Sequence, residues 1–225
     1  MHATNSLAHY HLTFEDGAEV SLEAPSPQPD PAPEWARLEH CQCRNCPLRA
    51  EVTPYCPFAL ALTGPLRALE GRRSFDMVKV SIDWHGRHLE QATSLQRVLS
   101  SLIGLIGATS GCPRTRLLAP MAHFHQPFSG AGETLFRALG TYFIGQYLRQ
   151  RNGLSANYDI DGLLAMYRAL REVNLGLAER LRSASRAEQS VNGLVLLDVL
   201  AAETLENLQS PEEMLGELFA PYLET

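Results

Sequence analysis

Phe75-Asp76-Met77-Val78-Lys79-Val80-Ser81-Ile82-Asp83-Trp84, followed by His85-Gly86 and Arg87 to Thr93, is the stretch where a two-residue apolar period gives way to a helical one. Val78, Val80, Ile82 and Trp84 alternate with polar side chains, as in a strand with one wet face, and His85-Gly86 turns the chain back into a second strand. Upstream, His9-Tyr10-His11-Leu12-Thr13-Phe14 and Glu19-Val20-Ser21-Leu22 alternate on either side of Asp16-Gly17 and read as a first hairpin. Downstream the pattern is helical throughout. Helices are expected from Ser94 to about Thr109, from Gly132-Glu133 to Arg151 with Asn152-Gly153 as the stop, from Asp161 to about Ser183, and from Ala187 to about Leu208.

A last helix is expected to open at Ser210-Pro211-Glu212-Glu213, where serine caps, proline takes the first turn and the acids face the helix dipole. Leu163, Tyr167, Leu170, Val173, Leu177 and Leu181 recur at three and four residues and form a core stripe. Proline at alternate positions between Ala24 and Pro33 excludes helix and central strand there, leaving an extended connector. Pro57 to Leu69 reads as a helix started by proline and crossed by Pro65. The fold class is therefore α+β, a mainly helical bundle of four to five helices packed against N-terminal β-hairpins that can share one antiparallel sheet. Residues 1–24 hold the first hairpin, 25–34 the proline-rich connector, 35–93 a cysteine-bearing segment and the second hairpin, and 94–225 the bundle, in one compact domain.

The N-terminal residues lack a basic region followed by an apolar one, and the greasiest stretch, Leu99 to Ala108, is about half a bilayer span, so neither secretion nor membrane insertion is expected. Five cysteines, an odd number with four crowded between Cys41 and Cys56, fit a reducing, cytoplasmic setting better than a disulfide framework. The net charge is −6, and residues 71–153 carry ten basic against four acidic side chains between two acidic flanks. That middle either meets a small anionic ligand or complements its acidic neighbours within the fold. A single lysine, Lys79, and no dense basic stripe argue against nucleic acid.

Cys43-Arg44-Asn45-Cys46 lets one turn present two sulfurs to a tetrahedral centre at roughly 2.3 Å each, and Cys56 and Cys112 complete a four-thiolate set. Cys46, Cys56 and Cys112 each precede a proline, so each thiol is expected at a rigid loop corner. Zinc is the metal expected for such a set. A 4Fe-4S cluster is the alternative, since cysteine-proline also ends the bacterial ferredoxin run. The third possibility is no metal, with the thiols buried as small apolar groups or acting as a redox pair. Cys41 is a spare thiol.

His123 and His125, two apart between Pro120 and Pro127, would point to one side of an extended loop, and Glu133 follows at a helix start with Arg137 four residues beyond. Two imidazoles and a carboxylate suit a divalent metal or acid–base chemistry, whereas backbone-bonded histidines and a Glu133–Arg137 surface pair are the ordinary alternative. Ser129-Gly130-Ala131-Gly132 offers amides to an anion or to an ordinary cap. Asn174 and Asn192, inside expected helices, are read as making structural bonds.

Cys43-Arg44-Asn45-Cys46-Pro47-Leu48, Tyr55-Cys56-Pro57, Ser110-Gly111-Cys112-Pro113 and His123-Phe124-His125-Gln126-Pro127-Phe128 resemble segments of an uncharacterised family of bacterial cytoplasmic proteins of about this length. The resemblance covers most of the chain and implies no activity. Three readings of function stand on the residues: a metal-stabilised binding or regulatory module; an iron–sulfur or thiol redox protein or metalloenzyme using Cys112 with His123, His125 and Glu133; and a metal-free interaction scaffold for a protein partner, marked by exposed apolar stripes.

Overall fold

Two hairpins meet edge to edge. In the computed structural model, which describes residues 7–26, 29–184 and 188–224, strands β1 (Ala8–Phe14), β2 (Glu19–Ala24), β3 (Met77–Trp84) and β4 (Arg87–Ser94) form one sheet of order β2-β1-β3-β4. Every pairing is antiparallel, with Tyr10 opposite Ile82 and Leu12 opposite Val80 where the hairpins join. The alternation sorts the faces: Tyr10, Leu12, Phe14, Val78, Val80 and Ile82 are buried, while His9, His11, Lys79 and Asp83 face water. His85 and Gly86 both have positive φ, +46° and +74°, as a two-residue turn matched to strand twist requires.

Among the described residues there are eight α-helices, α1 (Pro57–Ala68) between the hairpins and then α2 (Leu95–Thr109), α3 (Ala119–His123), α4 (Ala131–Arg151), α5 (Asp161–Ser183), α6 (Glu188–Asn207), α7 (Pro211–Leu215) and α8 (Ala220–Leu223). The connector ends in a 3-10 turn at Glu34–Ala36 that buries Trp35. Residues 27 and 28 of the connector, and Ala187 at the expected start of α6, lie outside the described residues.

Strand β4 runs into α2 without a loop. The first amides of α2 are satisfied from the segment before β3, Leu95 N donating to Asp76 O at 2.9 Å and Gln96 N to Ser74 O at 2.9 Å. Leu95, Val98, Leu99, Leu102, Ile103, Leu105 and Ile106 are all buried, so α2 presents a broad apolar arc, with Arg97, Ser100 and Ser101 on the remaining side. The sheet, α1 and α6 cover it. Glycine sets the closest crossings: a Cβ on Gly107 would lie 2.6 Å from the Phe58 ring, and one on Gly193 would lie 2.6 Å from Leu99 Cβ.

The α5 stripe divides between two cores. Val173, Leu177 and Leu181 join the main core under the sheet, whereas Leu163 and Tyr167 join a smaller one with Leu135, Ala138, Ala201, Leu208 and Leu215. Leu170, between them, is only partly buried. The single C-terminal helix expected from Ser210 is instead two short ones. Pro221, at the start of α8, has no N–H to continue the α7 ladder through Gly216. On α4, Phe136, Phe143, Ile144 and Tyr147 are exposed along one side. Among the described residues no helix is long and apolar enough to cross a membrane.

The glycine contacts lead to an opposed pair of expectations. Gly193→Ala presses on Leu99 Cβ and on backbone atoms of Gln96 and Leu99, so urea unfolding should show a loss of about 1–3 kcal/mol despite better helix propensity. Gly145→Ala in α4 meets open space and should raise stability by up to about 1 kcal/mol; a stabilising Gly193→Ala would reject the tight α2–α6 crossing.

Candidate functional site

The cysteines come together through three loop corners. Cys43 and Cys46 lie on one turn, closed by Cys46 N donating to Cys43 O at 3.0 Å. Cys56 caps α1, its amide held by Ala36 O at 2.8 Å, with Pro57 starting the helix. Cys112 follows α2 across Gly111, whose φ of +84° turns the chain out of the helix. Cys43, Cys46, Cys56 and Cys112 all line one cavity of about 20 Å³, closed on the far side by Val173, Leu177 and Arg180 of α5. Gly176 lets α5 approach, since a Cβ there would sit 2.8 Å from Cys43 Sγ.

Arg180 is the largest fully buried side chain. Its guanidinium donates to Trp35 O at 2.7 Å, Arg37 O at 2.5 Å and Leu38 O at 3.2 Å, and among the described residues it has no ion pair. Asn45 fixes the turn through Nδ2 to Ala169 O at 2.8 Å, while Arg114 Nε reaches Asn45 O at 2.6 Å. Burial pushes the Cys43 thiol up to about 12, the neighbouring Cys56, Cys46 and Cys112 adding to the rise and Arg180 opposing it. Burial also raises Cys56, against the amides of Ala59 and Phe58 and the charge of Arg180. Cys41 is not part of the cluster; its Sγ contacts Ser183 Oγ at 3.4 Å. Among the described residues no group of three or more His, Cys, Asp or Glu side chains is arranged to hold a metal ion.

A second and much larger cavity, about 310 Å³, lies among α2, α5, α6 and the α3–α4 segment. His125 and Arg137 line it; His123 and Glu133 do not. The expected extended histidine loop is a short helix, because Pro120 begins α3 and His123 ends it. The two imidazoles therefore part: His123 is exposed with its ring 4.9 Å from that of His85, and His125 is buried. Glu133 caps α4, accepting from Gly130 N at 2.8 Å and Gln126 Nε2 at 2.6 Å, so the Gly130 amide is taken by the chain's own carboxylate. Arg137 turns from Glu133 to Met121 O at 2.6 Å, Phe124 O at 3.3 Å and Ser129 Oγ at 3.2 Å. None of these four residues lines the cysteine cavity.

Thr134 and Tyr167 on the lining, and Tyr10 bonded behind it, were not among the expected site residues. Tyr10 reaches from β1 to His125 Nε2 at 2.6 Å and Ser101 Oγ at 3.2 Å. Burial raises the Tyr10 hydroxyl well above its ordinary value and lowers His125 to about 3, the Arg137 charge adding to the second shift. Both groups are thus neutral near pH 7, joined by a hydrogen bond whose donor is set by the imidazole tautomer. A base for proton transfer works best with a pKa near the operating pH, and this pair is tuned away from it. Tyr167 is likewise raised, to about 12, by burial against the opposing pull of Arg137. Thr134, in the first turn of α4, has a buried Oγ1 with no hydrogen-bond partner. The inward alternation of β1 marks Tyr10 as buried, but nothing local marks Thr134.

The depressed His125 has a pH consequence. Its folded value of about 3 lies below the ordinary 6.5, so between these the unfolded chain binds a proton that the folded chain refuses. Stability from the neutral imidazole is complete above about 6.5 and is lost as pH falls toward 3, with a limiting slope of about 1.4 kcal/mol per pH unit. His125→Gln, which retains an acceptor for Tyr10, should flatten the acid limb of a denaturation profile relative to the parent; parallel limbs would place a protonated imidazole in the folded protein.

No curated protein and no solved structure matches this chain. A family model does match, and it spans residues 3–222, nearly the whole sequence. The chain belongs to the family described as Domain of unknown function (DUF6901).

Proposed function

We propose that this chain is a metal-stabilised binding module, in which one zinc ion held by Cys43, Cys46, Cys56 and Cys112 clips the N-terminal segment to the end of α2 while the helical layer carries the ligand cavity. The observation that carries the reading is the convergence of four cysteines from three separate segments on one cavity of about 20 Å³. That is room for about one water-sized sphere, which favours a single ion over an iron–sulfur cube. Four sulfur ligands leave no open coordination position, the arrangement of a structural rather than a catalytic zinc.

Four thiolates around a divalent ion carry net negative charge, and the buried Arg180, paired only with carbonyls, offsets part of it. Among the described residues the four cysteines share one cavity without standing as a preformed coordinating set; metal binding couples deprotonation of its ligands to closure of the site. A redox centre joining Cys112 to the histidines is less well supported, because His125 faces the other cavity.

Elemental analysis of anaerobically purified protein should find about one zinc per chain, and none in a Cys46→Ser, Cys56→Ser double variant. Stripping the metal should lower the melting temperature by on the order of 10 °C, the shift for a cross-link of about 3–5 kcal/mol in a domain of this size. Iron with broad visible absorption would replace zinc by a cluster. Metal-free protein whose melting is unchanged by a chelator would overturn the clip.

A further inference from the structure

The larger cavity has mostly apolar walls with a few polar side chains set among them. Leu105, Leu118, Met121, Leu170, Leu197 and Leu200 wall it, from α2, the α3 region, α5 and α6. At about 310 Å³ it has room for roughly ten water-sized groups at about 30 Å³ each, the low end of ordinary ligand pockets. Of its polar lining residues, Arg137, Thr134 and His125 each have an unusual state. Arg137 is half-buried and has no ion pair among the described residues; its nearest carboxylate in sequence, Glu133, is occupied in capping α4. Its NH1 and NH2 groups are held by Ser129 Oγ and the carbonyls of Met121 and Phe124, which fixes the guanidinium without neutralising it. Thr134 is 8% exposed with Oγ1 unpartnered, and an unsatisfied buried hydroxyl is costly unless something else meets it. His125, neutral and locked to Tyr10, adds polarity without charge.

We infer that this cavity binds a medium-chain alkyl carboxylate, its headgroup on the Arg137 guanidinium and the Thr134 hydroxyl and its chain along the leucine wall. Arg97, the other arginine on the lining, is exposed to solvent, so a monoanion is matched by the one half-buried cation, Arg137, and neutral hydroxyls, whereas a phosphate dianion would be left short of buried positive charge. The inference rests on the binding half of the proposed function and not on the metal.

The probes are decanoate, 1-decanol and decyl phosphate, titrated calorimetrically into the full chain. Decanoate should bind at about one per chain in the micromolar range, with 1-decanol at least about tenfold weaker. Arg137→Gln should remove that preference while leaving 1-decanol binding unchanged. Because Arg137 also ties two carbonyls, Thr134→Val serves as the variant that retains shape: it should weaken decanoate about fivefold, spare 1-decanol and leave the melting temperature of the free protein no lower. Leu200→Trp should abolish both by filling the chain end. No saturable decanoate binding, equal affinity for the alcohol, or tighter binding of decyl phosphate would each overturn the assignment. The zinc content of every variant should equal that of the parent, so failure here and failure of the clip are read separately.

Discussion

The constraint on which the rest depends is that α2 carries a broad apolar arc, interrupted by a polar strip at Arg97, Ser100 and Ser101, and so must be covered from several directions. A narrow apolar stripe needs one neighbour; this arc needs the sheet beneath it, α1 and α6 alongside, and α5 behind α6. The sheet cannot supply that cover from one hairpin, which presents too few inward side chains. Joining β1 to β3, with Tyr10 beside Ile82 and Leu12 beside Val80, makes a four-stranded face wide enough to receive the helix. The glycines at 107 and 193 then matter more than their size implies, because they let Phe58 and α6 close onto α2 and bring the remaining helices into reach.

Both cavities inherit their geometry from that helix. Its C-terminal end, turned out by Gly111, delivers Cys112 to the turn bearing Cys43 and Cys46 and to the cap of α1 at Cys56. One of its sides, through Ser101, Gly104, Leu105 and Ala108, walls the larger cavity. The α5 helix repeats the arrangement from the opposite side: Val173, Leu177 and Arg180 close the cysteine cavity, while Tyr167 and Leu170 face the other. Two rigid helices thus span both sites, and each site is made by what packs between them. The larger cavity falls where the two hydrophobic cores fail to merge.

The periodic elements were readable because their signals are local. The hairpins follow from alternation about Asp16-Gly17 and His85-Gly86, and α5 follows from its leucine stripe, with boundaries at Asp161 and Ser183. The cysteine grouping was readable because sulfur is rare and proline marks the corners. What lay beyond the sequence was whatever depends on which stripe residue is left without a neighbour. Leu170 belongs to the same stripe as Val173 and reads as core, yet it is only partly buried, packed against the smaller core on one side and lining the larger cavity on the other. His123 and His125 were expected on one side of an extended loop, but Pro120 starts a helical turn and sends them to different environments. Arg137 looked like the i+4 partner of Glu133; the carboxylate instead satisfies the Gly130 amide, leaving the arginine to the carbonyls of Met121 and Phe124.

The two cavities share one electrostatic device. Each holds an arginine that is buried or half-buried, and in each the guanidinium is anchored by backbone carbonyls instead of a carboxylate: Arg180 by Trp35, Arg37 and Leu38, Arg137 by Met121 and Phe124. A carbonyl satisfies an N–H without cancelling the charge, so both sites keep net positive character that burial makes expensive. A carboxylate in either place would have cancelled that charge, and α5, which carries Arg180, also carries Asp161, Glu172 and Glu179. Uncancelled charge in a closed site is tolerable when an anion arrives to share it. In the proposed zinc site that anion would be generated within the chain, as thiols become thiolates. Among the described residues no Asp or Glu lines the larger cavity, so under the proposed binding role the negative charge there would come from the ligand.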